Sequence, residues 1–365
     1  SLECSNQPAT THHDQPSHWP QTMKACVILP PGRQELILPE RLAAVSGIDV
    51  HVITYGDPPE VRQARKRGVL TPALAKRCPT LEPHEEASLR EAEIAIALDL
   101  PLQIHERAPK LQWVQACGAG IEQLDPAGLA ANGVILTNAS GVAAVPIAEY
   151  VMAQLLSVWK NLRTYDVQQK THTWQRQPTF LASGRVLGVV GLGAIGRATA
   201  RRARAFGMRV LALSRRSHSG AEDPDADRLY SQHEVDAMLG QCDAVLASLP
   251  ATPETVNYFD AARFAQFKPG SLFCNVARGS VVDEPALLAA LERGQPAHAV
   301  LDVTAVEPNP PESPLWDHPQ VVLTPHASTS MEGYGDRLMD LFIDNIGRYQ
   351  RGESLRNVVD PQYGY

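Results

Sequence analysis

VLGVVGLGAIGRATARRARAFGMRVLALSRR, residues 186–216, decides the fold. An apolar run over 186–190 leads into Gly191-x-Gly193-x-x-Gly196, an alanine-rich helical pattern follows, and a second apolar run ends at Leu213. In a chain with 25 glycines, three at this spacing mean little alone. Between a strand and a helix they form the turn that a pyrophosphate requires. Gly191 permits the tight turn, Gly193 lets backbone approach the phosphates, and Gly196 lets helix and strand pack closely. With Ala194 and Ile195 between them, the phosphates meet free N–H groups at the positive end of a helix dipole. These five residues are predicted to bind a dinucleotide.

The end of the second strand distinguishes the dinucleotides. An NAD site usually places a carboxylate there for the ribose 2′-hydroxyl. This chain has Ser214-Arg215-Arg216 and no acid before Glu222. Arginine binds a 2′-phosphate through charge-assisted, often bidentate hydrogen bonds. The expected cofactor is therefore NADPH/NADP+, with NADH as the less favoured alternative.

Reading outward, short apolar runs alternate with helical patterns, which indicates α/β architecture with largely parallel sheets. Toward the N-terminus lie strand-like runs at 24–30, 49–55, 93–98, 111–116 and 133–138, enough for one flavodoxin-like unit. A single long helix is expected from about Val145 to Tyr165, with Ile147, Val151, Leu155 and Leu162 as an apolar stripe for a core or a subunit interface. Beyond the glycine turn, further strands are expected at 244–248, 271–276, 298–303 and 320–325, and a last helix from about Met331 to Tyr349. The whole reads as two Rossmann-like domains, a flavodoxin-like substrate domain and a doubly wound parallel-sheet cofactor domain, with an interdomain cleft.

Composition removes other classes. The 365 residues carry 33 Lys and Arg against 40 Asp and Glu, a net charge of −7, which does not suit a nucleic-acid binder. The densest basic stretch, Arg197 to Arg204, reads as a solvated helix face. The longest apolar candidate for a membrane span, Val134 to Ala148, is broken by Thr137, Asn138, Ser140, Gly141 and Pro146. Residues 1–22 resemble neither a secretory signal nor a folded segment and are expected to be a flexible extension, with His12-His13 part of a mobile polar tail. The six cysteines show no paired or metal-ligand spacing, so reduced thiols, no metal site and a cytoplasmic protein are expected.

Three polar residues fall at or just beyond the carboxyl ends of apolar runs, where open α/β sheets bind ligands. They are Arg278 in NVARGSVVDE (275–284), Glu307 in LDVTAVEP (301–308) and His326 in SPLWDHPQVVLTPH (313–326). Together they supply what reduction of a 2-oxoacid needs. A guanidinium holds the carboxylate and polarises the neighbouring carbonyl. An imidazole gives a proton to the alkoxide as hydride arrives. A carboxylate beside that imidazole favours its protonated form, which is expected to raise its pKa above about 6.5.

At these residues the chain resembles the D-isomer-specific 2-hydroxyacid dehydrogenase family, through GAG (118–120), GLGAIGR (191–197), NVARGSVVDE, LDV with EP, and TPH. The resemblance makes Arg278 the substrate-binding arginine, Glu307 the partner carboxylate and His326 the acid/base. It assigns the substrate carboxylate to the backbone amides of Ala119 and Gly120, the nicotinamide carboxamide to Asp302, and the nucleotide lining to Leu249, Pro250 and Val276. It implies a discontinuous substrate domain (23–136 and 331–365) around a dinucleotide-binding domain (137–330), and a homodimer. SPLW (313–316), WVQACGAG (113–120) and the SRR strand end look most like the glyoxylate/hydroxypyruvate reductase branch. Trp174 either reaches a neighbouring subunit's site or is a plain hydrophobic anchor, and Cys117 is expected to be a small loop filler. Departures are Thr304-Ala305 where an aromatic–acid pair is usual, and ASTS (327–330) where a glycine-rich run is usual.

The expected function is NADP(H)-dependent reduction of small 2-oxoacids, glyoxylate and hydroxypyruvate foremost. Two alternatives are an NAD-dependent dehydrogenase of a bulkier D-2-hydroxyacid and a non-catalytic, nucleotide-sensing corepressor.

Overall fold

The computed structural model describes residues 22–33, 37, 39–214 and 220–360. Nearly all of the expected N-terminal extension, with Cys4, His12 and His13, lies outside these residues. Arg215 and Arg216 do too. The chain divides into two compact units, one running to Asn138 and taking in Gly335–Val359, the other spanning Ala139–Tyr334. The sequence had placed these divisions at 136/137 and 330/331.

The first unit is built on a parallel five-stranded sheet in the order β2-β1-β3-β4-β5, formed by β1 (Met23–Leu29), β2 (Ile48–Thr54), β3 (Ile94–Ala97), β4 (Trp113–Ala116) and β5 (Ile135–Thr137). Strands β3 and β4 are buried along their whole length, as covered parallel strands must be. Cys26 and Ile28 of β1 join Ile53, Leu89, Val114 and Leu136 in its core. Burial pushes the Cys26 thiol up to about 12, so it serves as a small apolar side chain.

This sheet is completed from the far end of the chain. The helix Tyr334–Gln350 lays Phe342 and Tyr349 against the Trp113 ring at 5.1 and 5.4 Å between centroids. Asn345, fully buried, donates to Gln115 Oε1 at 3.3 Å and to the Arg356 carbonyl at 3.1 Å, and accepts from the Arg356 N–H at 2.7 Å. The tail then pairs with β5, Val359 N–H donating to the Leu136 carbonyl at 2.8 Å.

The second unit carries a parallel seven-stranded sheet in the order β12-β11-β10-β9-β6-β7-β8. Its strands are β6 (Val186–Val190), β7 (Arg209–Leu213), β8 (Arg228–Tyr230), β9 (Ala244–Ala247), β10 (Leu272–Asn275), β11 (His298–Leu301) and β12 (Val321–Leu323). One face packs a phenylalanine cluster, Phe259, Phe264, Phe267 and Phe273, with ring centroids 4.8–6.2 Å apart. The other packs Ile147, Val151 and Leu155 of the helix Ala144–Trp159.

Two expectations are corrected. The helix expected over 145–165 is two helices, Ala144–Trp159 and Leu162–Lys170, because Asn161 takes a left-handed backbone (φ 55°) that an α-helix cannot continue through. Leu162, expected on the stripe for a core or a subunit interface, is therefore outside the first helix and 49% exposed in the single chain. The last helix begins at Tyr334 rather than Met331, after Gly333 at φ 72°.

Asn345→Ala removes the buried amide that joins the last helix to Gln115 and to both backbone groups of Arg356, leaving those Arg356 groups unsatisfied. Urea unfolding should show a loss of about 1–3 kcal/mol; a smaller loss would mean that Trp113 packing and the remaining side-chain bonds, Tyr349 to Gln112 and Arg356 to Asp344, hold the helix.

Candidate active site

Because the strands of the second unit are parallel, all of its strand ends share one edge. Gly191 directly follows β6, Ser214 follows β7, Leu249 and Pro250 lie just beyond β9, Val276 and Arg278 beyond β10, Asp302 beyond β11, and His326 just past β12. Reversal of strand order around β6 and β9 makes this the edge where open α/β sheets take ligands.

The glycine turn combines two kinds of constraint. Gly191 has φ 107°, and a Cβ there would lie 2.7 Å from the Ser248 carbonyl oxygen, whose residue anchors the turn by donating Oγ–H to the Gly191 carbonyl at 2.8 Å. A Cβ on Gly196 would overlap the Gly191 carbonyl and crowd Val189. Gly193 differs. Its φ is −87°, open to any residue, and a Cβ there would meet no protein atom within 4 Å. Gly193 and Ala194 are exposed, Ile195 is half-buried, and no side chain caps the helix Ala194–Ala205 that starts there. Neither backbone nor packing explains a glycine at 193. Close approach of an anionic ligand to the bare helix end does, so the residues present fit a dinucleotide pyrophosphate.

Ser214, at the end of β7, is half-buried and carries no charge. The basic run of the helix Ala194–Ala205, which precedes β7, is more than a solvated face. Arg197 binds Asp223 through both guanidinium nitrogens at 2.9 Å and Asp225 at 3.1 Å, and Arg204 donates to the Pro224 carbonyl at 2.6 Å. The Arg197 guanidinium holds the Asp223 carboxyl below the usual carboxylate range. Asp223 and Asp225 are thus clasped against the helix, while Glu222 before them is exposed.

His326 Nδ1 lies 3.0 Å from Glu307 Oε2, with the imidazole 39% and the carboxylate 27% exposed. If Nδ1–H donates to the carboxylate, Nε2 becomes the nitrogen that exchanges a proton with a ligand. Thr304 N–H donates to Glu307 Oε1 at 3.3 Å and Thr304 Oγ–H to the Val306 carbonyl at 2.7 Å, so the unusual threonine shapes the glutamate's turn. The Arg278 loop packs directly on that turn, since a Cβ on Gly279 would coincide with the Thr304 carbonyl. Arg278 donates Nη1–H to the Ala277 carbonyl at 2.8 Å, while Asn275 Nδ2 donates to the Arg278 carbonyl at 3.0 Å.

Asp302 is 1% exposed. Its Oδ1 accepts from Thr324 Oγ–H at 2.7 Å, Ala327 N–H at 2.8 Å and Ser328 N–H at 3.2 Å, and its carbonyl accepts the His326 N–H at 2.8 Å. The aspartate therefore holds the loop that carries His326. His326 itself has φ 52°, a left-handed backbone rare for a non-glycine and sustained only where surroundings dictate it. The ASTS stretch takes part through the amides of Ala327 and Ser328. Val276 is buried, whereas Leu249 and Pro250 are half-buried.

Ala119 and Gly120 lie in the first unit, beyond β4, the former exposed and the latter half-buried. Cys117 beside them is 3% exposed, and burial pushes its thiol far up, which fits a loop filler. Trp174 is fully exposed and anchors nothing within the single chain. Sequence reasoning missed Gly279, Thr324 and Tyr150, whose phenol oxygen lies 2.6 Å from Thr324 Oγ. Gly279 and Thr324 are visible as neighbours of Arg278 and His326 within their motifs; Tyr150 has no local signal.

Gly193→Ala should leave thermal stability unchanged but weaken NADPH binding at least about tenfold by fluorescence titration, because only the ligand meets the new methyl. Gly196→Ala should lower stability by about 1–3 kcal/mol through overpacking. Equal stability losses in both variants would show that Gly193 is a structural glycine.

Comparison with known proteins identifies the family. Residues 152–328 match the family described as D-isomer specific 2-hydroxyacid dehydrogenase, NAD binding domain. The glyoxylate/hydroxypyruvate reductase B of Citrobacter koseri is 33% identical over 291 residues, 78% of this chain and 89% of that protein. The D-3-phosphoglycerate dehydrogenase of Mycobacterium tuberculosis is 35% identical over 286 residues, 75% of this chain but 52% of that one. The crystal structure of an NADPH-dependent glyoxylate/hydroxypyruvate reductase from Sinorhizobium meliloti, in complex with NADP and sulfate, superposes with a TM-score of 0.73 at 28% identity, covering 94% of this chain and 100% of that one. The chain belongs to the D-isomer-specific 2-hydroxyacid dehydrogenase family, on the side of its glyoxylate/hydroxypyruvate reductase-like branch.

Proposed function

We propose that this oxidoreductase reduces small 2-oxoacids, glyoxylate and hydroxypyruvate foremost, with NADPH in preference to NADH. The observation that carries the reading is the 3.0 Å pairing of His326 Nδ1 with Glu307 Oε2 on the sheet edge that also bears the Gly191–Gly196 turn. The first unit acts as the substrate domain and the second as the dinucleotide-binding domain.

The nicotinamide, when bound, supplies the hydride. Arg278 binds the substrate carboxylate and polarises the carbonyl, helped by the amides of Ala119 and Gly120. His326 Nε2 gives its proton to the carbonyl oxygen as charge develops there, and Glu307 supports the imidazolium through Nδ1–H. Leu249, Pro250 and Val276 line the nucleotide, and Asp302 serves its nicotinamide end as well as the histidine loop.

Preference for NADPH rests on the uncharged Ser214 at the strand end, on Arg215-Arg216 after it, and on engagement of Asp223, Asp225 and Asp227 with Arg197 and Arg204. The NADP complex of the S. meliloti relative points the same way. Exposed apolar side chains at Leu162, Val167, Trp174, Phe180 and Leu181 suit a homodimer contact. All five cysteines among the described residues are free, which suits a reducing, cytoplasmic setting. Among the described residues, no helix is long and apolar enough to cross a membrane.

Oxidation of NADPH and NADH, followed by absorbance against a panel of 2-oxoacids, should be fastest with NADPH and glyoxylate or hydroxypyruvate. Faster turnover of NADH with a bulkier oxoacid would favour the NAD-dependent alternative, and NADPH binding without turnover the corepressor-like one. His326→Gln should lower kcat at least about 100-fold with NADPH affinity kept. Separately, Arg215→Glu should weaken NADPH about 10–100-fold and NADH only slightly, since only the former presents a phosphate to it; equal effects would refute the phosphate contact.

A further inference from the structure

We propose that Tyr150 is a positioning residue for His326, acting at a distance through Thr324 and Asp302. The inference rests on the reading of His326 as the acid/base. It concerns a residue on a different element, the helix Ala144–Trp159, which carries none of the motif residues.

The chain of contacts has a direction. Asp302 accepts from Thr324 Oγ–H at 2.7 Å, which uses the only proton that hydroxyl has. The Tyr150 phenol, 2.6 Å from the same oxygen, must then be the donor. Tyr150 O–H therefore points to Thr324, Thr324 O–H to Asp302, and Asp302 takes the amides of Ala327 and Ser328. With the Asp302 carbonyl on the His326 amide, donors from both sides of the histidine converge on one residue. This holds His326 in its left-handed backbone with Nδ1 facing Glu307.

The phenol fixes the threonine rotor. Without it, the Thr324 oxygen loses the donor that orients it and strengthens its own bond to Asp302, and one of the carboxylate's ties loosens. Packing does not call for a hydroxyl at 150. The buried positions of the helix are Ala144, Ile147, Ala148, Val151, Met152, Leu155 and Trp159, while Tyr150 is half-buried beside them, where a phenylalanine ring would fill the same space. Burial also raises the phenol above its ordinary range, so it remains a donor at working pH.

The test is a double-mutant cycle on Tyr150→Phe and Thr324→Val, with Thr324→Ser as the conservative variant, read by NADPH turnover on glyoxylate, NADPH fluorescence titration, thermal melting and amide exchange of residues 324–328. Tyr150→Phe should lower kcat about three- to tenfold, leave NADPH affinity within about twofold and the melting temperature nearly unchanged, and speed exchange of the Ala327 and Ser328 amides by a similar factor. Thr324→Ser should keep most of the turnover. The double variant should be no worse than Thr324→Val, since both act through one relay. Wild-type kcat and exchange in Tyr150→Phe, or losses that multiply in the double variant, would overturn the relay. His326→Gln separates the two claims. If it is inactive while Tyr150→Phe behaves as wild type, only the relay falls; if it retains turnover, the acid/base assignment falls and this proposal with it. Should the chain reduce no oxoacid, exchange at Ala327 and Ser328 still decides whether Tyr150 holds the loop.

Discussion

Parallel pairing of the strands is the constraint on which the second unit depends. It sends every connection back across the sheet, so that the ends of β6, β7, β9, β10, β11 and β12 are delivered to the same edge. Residues spread from Gly191 to His326 in sequence become neighbours along that edge without any one loop having to be long. The cost is that the strands are covered on both faces and must be largely apolar, as β9 is throughout and β10 is up to Asn275 at its end. Polar chemistry is thereby concentrated at and just beyond the strand ends, which is why a glycine turn, an arginine, a carboxylate and a histidine all occupy equivalent positions.

Holding those loops still is a separate problem, solved here by a buried carboxylate. An unpaired charge in the interior would cost several kcal/mol, so Asp302 is stable only because the loop after β12 brings donors to it. The dependence runs both ways. The loop satisfies the carboxylate, and the carboxylate holds His326 in a backbone conformation it would not choose alone. A similar economy operates one loop away, where the missing side chain of Gly279 lets the Arg278 segment press on the Thr304 carbonyl and so fixes arginine and glutamate turns against each other.

What the sequence made legible was local. The glycine turn, the run of strands in both units and the three ionisable residues each have a signature within a dozen residues, because periodicity and turn chemistry act over that range. What it hid was set by distant contacts. Strand β8 is only three residues long, Arg228–Tyr230, and exists because β7 offers it an edge. The helix break depends on a left-handed Asn161, which asparagine tolerates but does not announce. The clasp of Asp223 and Asp225 by Arg197 joins residues whose charges, read separately, describe two solvated surfaces. Tyr150 lies more than 170 positions from Thr324, and nothing in its own helix distinguishes it from a packing aromatic.

The three glycines of the turn show how structure can separate folding from binding within one motif. Gly191 and Gly196 are explained by the protein itself, one by its positive φ and the other by contact with the first. Gly193 is explained by nothing within the protein, since its backbone suits any residue and the space beside it is open. A residue kept small where the fold has no need of it is held to that size by what must come close. The same reasoning applied to Tyr150 runs in the opposite direction: a hydroxyl where packing needs only a ring marks a polar contact that the fold could dispense with and the histidine loop could not.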